Sequence, residues 1–469
     1  MHMTATRAAL LLALSAALTL PATAPASAQA AAPVKNTDFN GDGYNDLAVG
    51  SPFYPGPAGS AHSGLVTVLY GGPNGLAGHE NFRPTPQCFS GVGPRGALPC
   101  TDWGSDFSAA DLDGDGRTEL ISAGGRGMRV HAWKPEGVST RHLTDLATGT
   151  YLGGLKAGRA DSDPKIDIVA AWKSGYTSHL GGWYNGGPYE QAPLLPGRQP
   201  LPLSTATGLL NGDDLLEMVT VTTFGDRDYF LWYIGDIRNP SATPYVMGSP
   251  AGCGSSAPTA QACPQRDSKL AIGNVNGDTY DDVVMVTPST GTINVFYGSK
   301  YGAGMAAPGY TARNLSWLSD LPEDWMTVTV GDVTGDGAAE IAIGAPAAIV
   351  SGHHDAGLVA LVPGSKSGPQ PAGVRIISQD GDSADPVADP VPEQSAADDG
   401  FGGAVAILDV TGDGKGELLV GAPGKNTRRG MLTVLPGTAT GAFPAAQIIH
   451  PHTVGAVEPE ARFASALPR

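Results

Sequence analysis

Residues Asp111 to Glu119 read DLDGDGRTE, and the rest of the chain is organised around copies of this stretch. Counted from its first residue, Asp111, Asp113, Asp115 and Glu119 stand at positions 1, 3, 5 and 9, with Gly114 and Gly116 between them. Four carboxylates on nine residues repel one another unless a cation sits among them. Oxygen donors at alternate positions, with glycines at the tight turns, suit Ca²⁺. Arg117 at position 7 is expected to offer a backbone carbonyl, leaving its side chain free to vary. Glycines at positions 4 and 6 allow the left-handed backbone that such a wrap needs.

Six further copies align on the ninth position. They begin at 38 (DFNGDGYND), 159 (RADSDPKID), 209 (LLNGDDLLE), 274 (NVNGDTYDD), 332 (DVTGDGAAE) and 409 (DVTGDGKGE). A short apolar run follows each, such as Leu47-Ala48-Val49 or Val283-Val284-Met285-Val286. A second strand, alternating in polarity, then ends at glycine, as in Gly64–Gly71 and Gly430–Gly437. Such alternation marks a strand with one packed face. Some loops are preceded by a strand led by an aromatic, read here as Phe107-Ser108-Ala109 and Phe401-Gly402-Gly403-Ala404. No long window outside the N-terminus has a helical apolar period, so the class is all-β. Where loops are most widely spaced, insertions are expected at 71–105, 248–268 and 378–400. The last holds seven acids and no basic residue, and reads as a solvated, mobile loop.

Seven small sheets cannot bury their faces alone, and radial stacking solves this. Phe463-Ala464-Ser465-Ala466-Leu467 looks like the strand that precedes a loop, yet the chain then ends. The first loop lacks such a strand. The expected fold is therefore a seven-bladed β-propeller closed by the C-terminal strand, a single domain over 31–469.

Residues 1–30 carry Arg7, an Ala/Leu run from Ala8 to Leu20 and small residues at Ala26-Ser27-Ala28 and Ala30, the pattern of a signal peptide. A secreted, extracellular protein is expected, with no membrane span. Cys88 and Cys100, and Cys253 and Cys263, stand in Pro/Gly-rich insertions. Three pairings can be drawn, and loop-closure entropy favours the two local disulfides. The net charge of -17 excludes a basic nucleic-acid footprint. Much of that charge lies in the loops, so metal demand accounts for part of it.

Phe-Gly-Gly-Ala at 401–404, DVTGDGKGE at 409–417 and Val-Gly-Ala-Pro at 420–423 together resemble the FG-GAP repeat, which builds the integrin α propeller and many secreted bacterial proteins. The resemblance implies Ca²⁺ in about five loops. The implied ligands are Asp38, Asn40, Asp42, the Tyr44 carbonyl and Asp46 in loop one; Asp111, Asp113, Asp115, the Arg117 carbonyl and Glu119 in loop two. Loop five would use Asn274, Asn276, Asp278, the Tyr280 carbonyl and Asp282, and should be the weakest. Loop six would use Asp332, Thr334, Asp336, the Ala338 carbonyl and Glu340. Loop seven would use Asp409, Thr411, Asp413, the Lys415 carbonyl and Glu417. Loops three and four have Arg159 and Leu209 at position 1 and are expected empty, with Arg159 pairing to loop acids and Leu209 packed. An EF-hand would need a glutamate at position 12 and flanking helices instead.

No GxSxG, HExxH or Walker loop is present, and no catalytic residue is assigned. His353-His354-Asp355 and His450/His452 read as exposed connections. Trp172, Trp183, Trp232 and Tyr233 read as packing residues before an aromatic patch for glycan. The expected function is that of a monomeric binding or recognition module, adhesion-like, for an extracellular protein or glycan. The alternative is a secreted carbohydrate-active enzyme, a lyase or hydrolase, on the same scaffold. Fold alone does not separate them.

Overall fold

The computed structural model describes residues 37–468 except 57–62, 84–101, 125–126, 146–148, 161–164, 175–176, 185–186, 189–191, 194–200, 225–227, 235–244, 249–263, 304–308, 323–324 and 383–389. The leader, all four cysteines, Asp161 and Asp163 lie outside these residues. The described chain is all-β, and Lys35–Arg469 forms one compact unit.

Its strands fall into seven sheets, each built in chain order from antiparallel neighbours. Sheet one comprises Leu47–Ser51, Leu65–Tyr70 and Ala77–Phe82. Sheet two runs through Asp106–Ala110, Glu119–Gly124, Gly127–Lys134 and Gly137–Asp145. Sheet three holds Gly149–Gly158, Asp167–Ser174 and Thr177–Tyr184, with two short outer pieces. Sheet four holds Leu201–Gly208, Glu217–Phe224, Asp228–Ile234 and Tyr245–Gly248. Sheet five holds Lys269–Gly273, Asp282–Thr287, Thr292–Phe296 and Tyr310–Ala312. Sheet six holds Thr327–Gly331, Glu340–Ala345, Leu358–Val362, Arg375–Ser378 and Gly381–Asp382. Sheet seven holds Ala404–Leu408, Glu417–Gly421, Leu432–Leu435 and Gln447–Ile449.

The core is divided in the same way. Of seven apolar clusters, six lie between consecutive sheets and one between sheets one and seven. Val284, Ile293 and Val295 of sheet five meet Val328, Ile341 and Ile343 of sheet six. Leu361 of sheet six meets Leu418 and Leu435 of sheet seven. One cluster joins Leu47, Val49 and Leu65 of sheet one to Leu419 and Leu432 of sheet seven, with Phe463 and Leu467 among them. Another joins Val66 and Val68 of sheet one to Phe107 and Leu120 of sheet two. Second strands read as unbroken apolar runs because both their faces are covered.

The first strands of sheets two to seven lie side by side in order. Their free edges are met by side chains of the preceding first strand. Asp106 and Ser108 accept from the N–H groups of Leu155 and Ala157, and Ser204 accepts from that of Leu270. Small polar residues on these strands thus satisfy backbone groups that would otherwise be orphaned.

Two expectations need correction. The residue equivalent to Phe401 in sheet two is Trp103, not Phe107. Trp103 bridges Gly64 as Phe401 bridges Gly357 and Phe463 bridges Gly430. Gly104 and Gly402, each next in sequence, take φ of 83° and 89°. Phe107 instead lies inside the strand. The second correction concerns the acidic insertion. Its described parts, 378–382 and 390–400, are held against the sheets: Gly381–Asp382 is a strand of sheet six, and Gln379, Asp382, Val391, Ser395 and Asp399 are buried. The missing cations come from neighbouring segments: Arg375 of sheet six pairs with Asp382, and Lys425 Nζ, in the connection after Glu417–Gly421, lies 3.0 Å from Asp399 and 3.6 Å from Glu393.

Candidate functional site

The seven loops all connect the first strand of a sheet, or the segment standing in its place, to the second, so they gather at one end of the sheets. Within each, the ninth-position acid is buried: Asp46, Glu119, Asp167, Glu217, Asp282, Glu340 and Glu417. In every loop it accepts a hydrogen bond from the N–H of position 2. The distances are 2.9 Å from Phe39, 2.7 Å from Leu112, 3.0 Å from Ala160 and 2.7 Å from Leu210. They are 3.0 Å from Val275, 2.8 Å from Val333 and 2.8 Å from Val410. In loops one and five the second oxygen accepts from the glycine after the third strand, Gly71 or Gly298, at 3.0 and 2.9 Å. Burial pushes the carboxyls of Asp46, Glu119, Glu217, Asp282, Glu340 and Glu417 up to about 7. The neighbouring loop acids add to the rise, and the backbone donors oppose it.

Position 2 was overlooked in the sequence. Its signal is plain in retrospect, because the residue is apolar in every copy: Phe39, Leu112, Ala160, Leu210, Val275, Val333 and Val410. Its side chain anchors the loop in the core while its N–H anchors the ninth acid.

Position 1 organises the exposed half. Asp111 accepts from the N–H groups of Gly114 and Gly116 at 2.7 and 2.9 Å. Asp332 and Asp409 hold Gly335/Gly337 and Gly412/Gly414 in the same way. These glycines have φ between 73° and 88°, a region side chains resist. In loop five Asn274 accepts from Gly277 and donates to the carbonyl of Asp278, and Thr279 replaces the second glycine.

Among the described residues, two loops bring three acids together. Asp111, Asp113 and Asp115, and separately Asp409, Asp413 and Glu417, each offer a carboxylate oxygen within 4.8 Å of the others. Ligands held at 2.3–2.6 Å from one Ca²⁺ can be no more than about 5 Å apart, so the spacing and the hard oxygen donors fit that ion. In loop one Asp42 lies with Asn40 and the Tyr44 N–H, and Asp46 faces inward. In loop six Asp336 holds the Ala338 N–H, and Thr334 bonds Asp332. In loop seven Lys415 Nζ sits 2.9 Å from Asp413.

The seventh and eighth positions do something the sequence reading did not foresee. In loops one, two, five, six and seven the position-7 side chain is not free: it lies over the position-4 glycine of the neighbouring loop, whereas Gly114 of loop two has no such cover. A Cβ added to Gly41 would meet Arg117, one on Gly212 would meet Tyr280 at 3.0 Å, and one on Gly335 would meet Lys415 at 3.0 Å. Tyr44 of loop one covers Gly412 of loop seven at 3.2 Å. In loops four to seven the position-8 N–H donates to the position-1 carbonyl of the preceding loop. Leu216 reaches Arg159, Asp281 reaches Leu209, Ala339 reaches Asn274 and Gly416 reaches Asp332, at 2.7–3.3 Å. Asn45 makes the corresponding link from loop one to loop seven through its side chain, 2.8 Å to the Asp409 carbonyl.

In loop four Leu209 does not pack, being 38% exposed. Trp232 and Tyr233 lie within sheet four, Tyr233 in the apolar cluster and Trp232 donating to Thr222. His353, His354 and Asp355 are exposed on a turn, and His450 stacks on His452.

A family model describes three stretches, 36–69, 325–362 and 401–435, as FG-GAP repeat. The chain carries FG-GAP repeats. The three matched stretches contain loops one, six and seven, of which one and seven meet through Tyr44 and Asn45. No curated protein matches the sequence. Among solved structures, an Agrocybe aegerita lectin studied for recognition of non-reducing terminal N-acetylglucosamine is 13% identical. It covers 86% of this chain and 90% of its own, with a TM-score of 0.48. BBS1N in complex with ARL6DN is 12% identical over 74% of this chain and 82% of its own, TM-score 0.41. AofleA from Arthrobotrys oligospora is 9% identical over 74% and 87%, TM-score 0.36. No helix among the described residues is long and apolar enough to cross a membrane.

Proposed function

We propose that this FG-GAP protein is a secreted, closed seven-bladed propeller whose loops hold structural Ca²⁺ and whose opposite end recognises an extracellular protein or glycan. The closed ring is supported by the core shared between sheets one and seven and by the Gly50–Ala466 bridge. Calcium is supported by the carboxylate triads at Asp111 and Asp409. Loops one, two, five, six and seven would hold the ion through the ligands named from the sequence. Bound there, it cancels carboxylate repulsion and ties strand ends together. Loops three and four lack a position-1 donor and would stay without it. The pairs Cys88–Cys100 and Cys253–Cys263 would be disulfides in the oxidising space outside the cell.

The observation that carries recognition is Trp325. It is 82% exposed and takes φ of 64° two residues before its strand, where Gly402 stands in sheet seven. The aromatic of this repeat has moved by one residue onto the left-handed position, which turns its ring to solvent. Exposed Ile349 and Val457 lie in connections at the same end, away from the calcium loops. A glycan array probed with the native chain and with Trp325→Ala tests the reading. Binding lost in the variant supports it. Equal binding, or release of cleaved product from a polysaccharide panel, overturns it.

A further inference from the structure

Three loops carry Asn-Gly at positions 3 and 4: Asn40-Gly41, Asn211-Gly212 and Asn276-Gly277. The asparagine side chain is held identically in each. Its Oδ1 accepts from the position-5 N–H at 2.8, 2.8 and 3.0 Å, and its Nδ2 donates to the position-5 carboxylate at 3.0, 2.9 and 2.9 Å. The glycines share φ values of 77°, 74° and 71°.

What differs is the glycine N–H. Gly41 donates to Asp38 Oδ1 at 2.8 Å, and Gly277 donates to Asn274 Oδ1 at 2.7 Å. In loop four position 1 is Leu209, whose side chain has no acceptor, and the N–H of exposed Gly212 has no hydrogen-bond partner among the described residues. We propose that Asn211-Gly212 is a site of spontaneous covalent modification, deamidating through a cyclic imide while its two counterparts are protected.

The chemistry needs only water. The Gly212 nitrogen attacks Cγ of Asn211, forming a C–N bond, and the side-chain amide leaves as ammonia, carrying the proton from Gly212. Water then opens the five-membered imide at either carbonyl, giving aspartate or isoaspartate. One water enters and one ammonia leaves. In loops one and five the same nitrogen must first surrender its hydrogen bond to Asp38 or Asn274. In loop four that bond is absent, and only the Asn211 side-chain bonds to Asp213, common to all three loops, have to yield. The product adds a carboxylate beside Asp213 and Asp214. The isoaspartate form also lengthens the backbone under Tyr280, which covers Gly212.

The test is peptide mass mapping of amide-to-carboxyl conversion in the native full chain, aged in mildly alkaline buffer without calcium. Asn211 is expected to convert roughly tenfold faster than Asn40 or Asn276, the worth of one hydrogen bond to be broken. Unfolded in urea, the three should convert alike. Leu209→Asp, which restores an acceptor, should slow Asn211 to the rate of the others, and Leu209→Ala should not. Equal rates in the native chain, or an unchanged Asn211 rate in Leu209→Asp, would overturn the proposal. The native comparison needs no variant, so it stands even if Leu209→Asp folds poorly.

Discussion

Truncating Phe463 to alanine tests whether the last sheet and the first share one core. Phe463 is fully buried, packed among Leu47, Val49 and Leu65 of sheet one and Leu419 and Leu432 of sheet seven. Removing such a ring costs about 3–5 kcal/mol. For a unit spanning Lys35–Arg469, unfolding entropy near 2.1 cal/mol/K per residue comes to roughly 0.9 kcal/mol/K. The midpoint should therefore fall by about 3–6 °C in a calorimetric scan. A second variant perturbs the same segment differently: a Cβ on Gly421 would lie 2.0 Å from the Ala464 carbonyl, so Gly421→Ala must push the terminal segment away. Both changes release one segment, so the double variant should cost little more than the worse single. A Phe463→Ala midpoint within about 1 °C of the native chain, or fully additive effects, would refute a shared core at this junction.

Chelation should lower the melting temperature markedly and added Ca²⁺ should restore it; an unchanged curve with no calcium by elemental analysis would remove the metal reading. In the chelated protein stability should fall as pH rises from about 4.5 to about 7. The six ninth-position carboxyls have folded pKa values raised to about 7, so there the folded state holds more protons than the unfolded one. His131, which burial pushes down to about 3, opposes this between pH 3 and 6.5, one group against six. Denaturant titrations at pH 5 and 8 would check the sign. Trp325→Gly should raise stability by about 1 kcal/mol by relieving a left-handed tryptophan, and a loss on that order would argue against strain there.

The loops were legible because their chemistry is local: acids at positions 1, 3 and 5 and glycines at 4 and 6 all act within nine residues. The seven sheets followed from their spacing. The ninth acid's main partner was hidden, since its bond runs to a backbone N–H, which every residue possesses. Long-range partners were hidden for a different reason. Lys425 neutralises an acidic segment some 30 residues away in sequence, and Tyr44 covers a glycine from the far end of the chain. Trp103 is hidden in the sequence because a tryptophan stands where phenylalanine stands at 401 and 463, and Phe107 lies close by.

The hand-over from each loop to the one before it has a consequence for how calcium would be taken up. Loops five, six, seven, one and two form an unbroken arc that runs across the junction of the chain's two ends, while loops three and four interrupt it. An ion bound at loop six or seven would have such links on either side, through the side chain laid on a glycine and the bond to a first carbonyl, and loop one reaches loop two through Arg117 over Gly41. Loops two and five each face one silent neighbour. Titration should then show graded uptake, in which ions at loop seven and loop one reinforce each other and the terminal sites follow. A decayed motif would thus act as an insulator that gives the linked loops two ends.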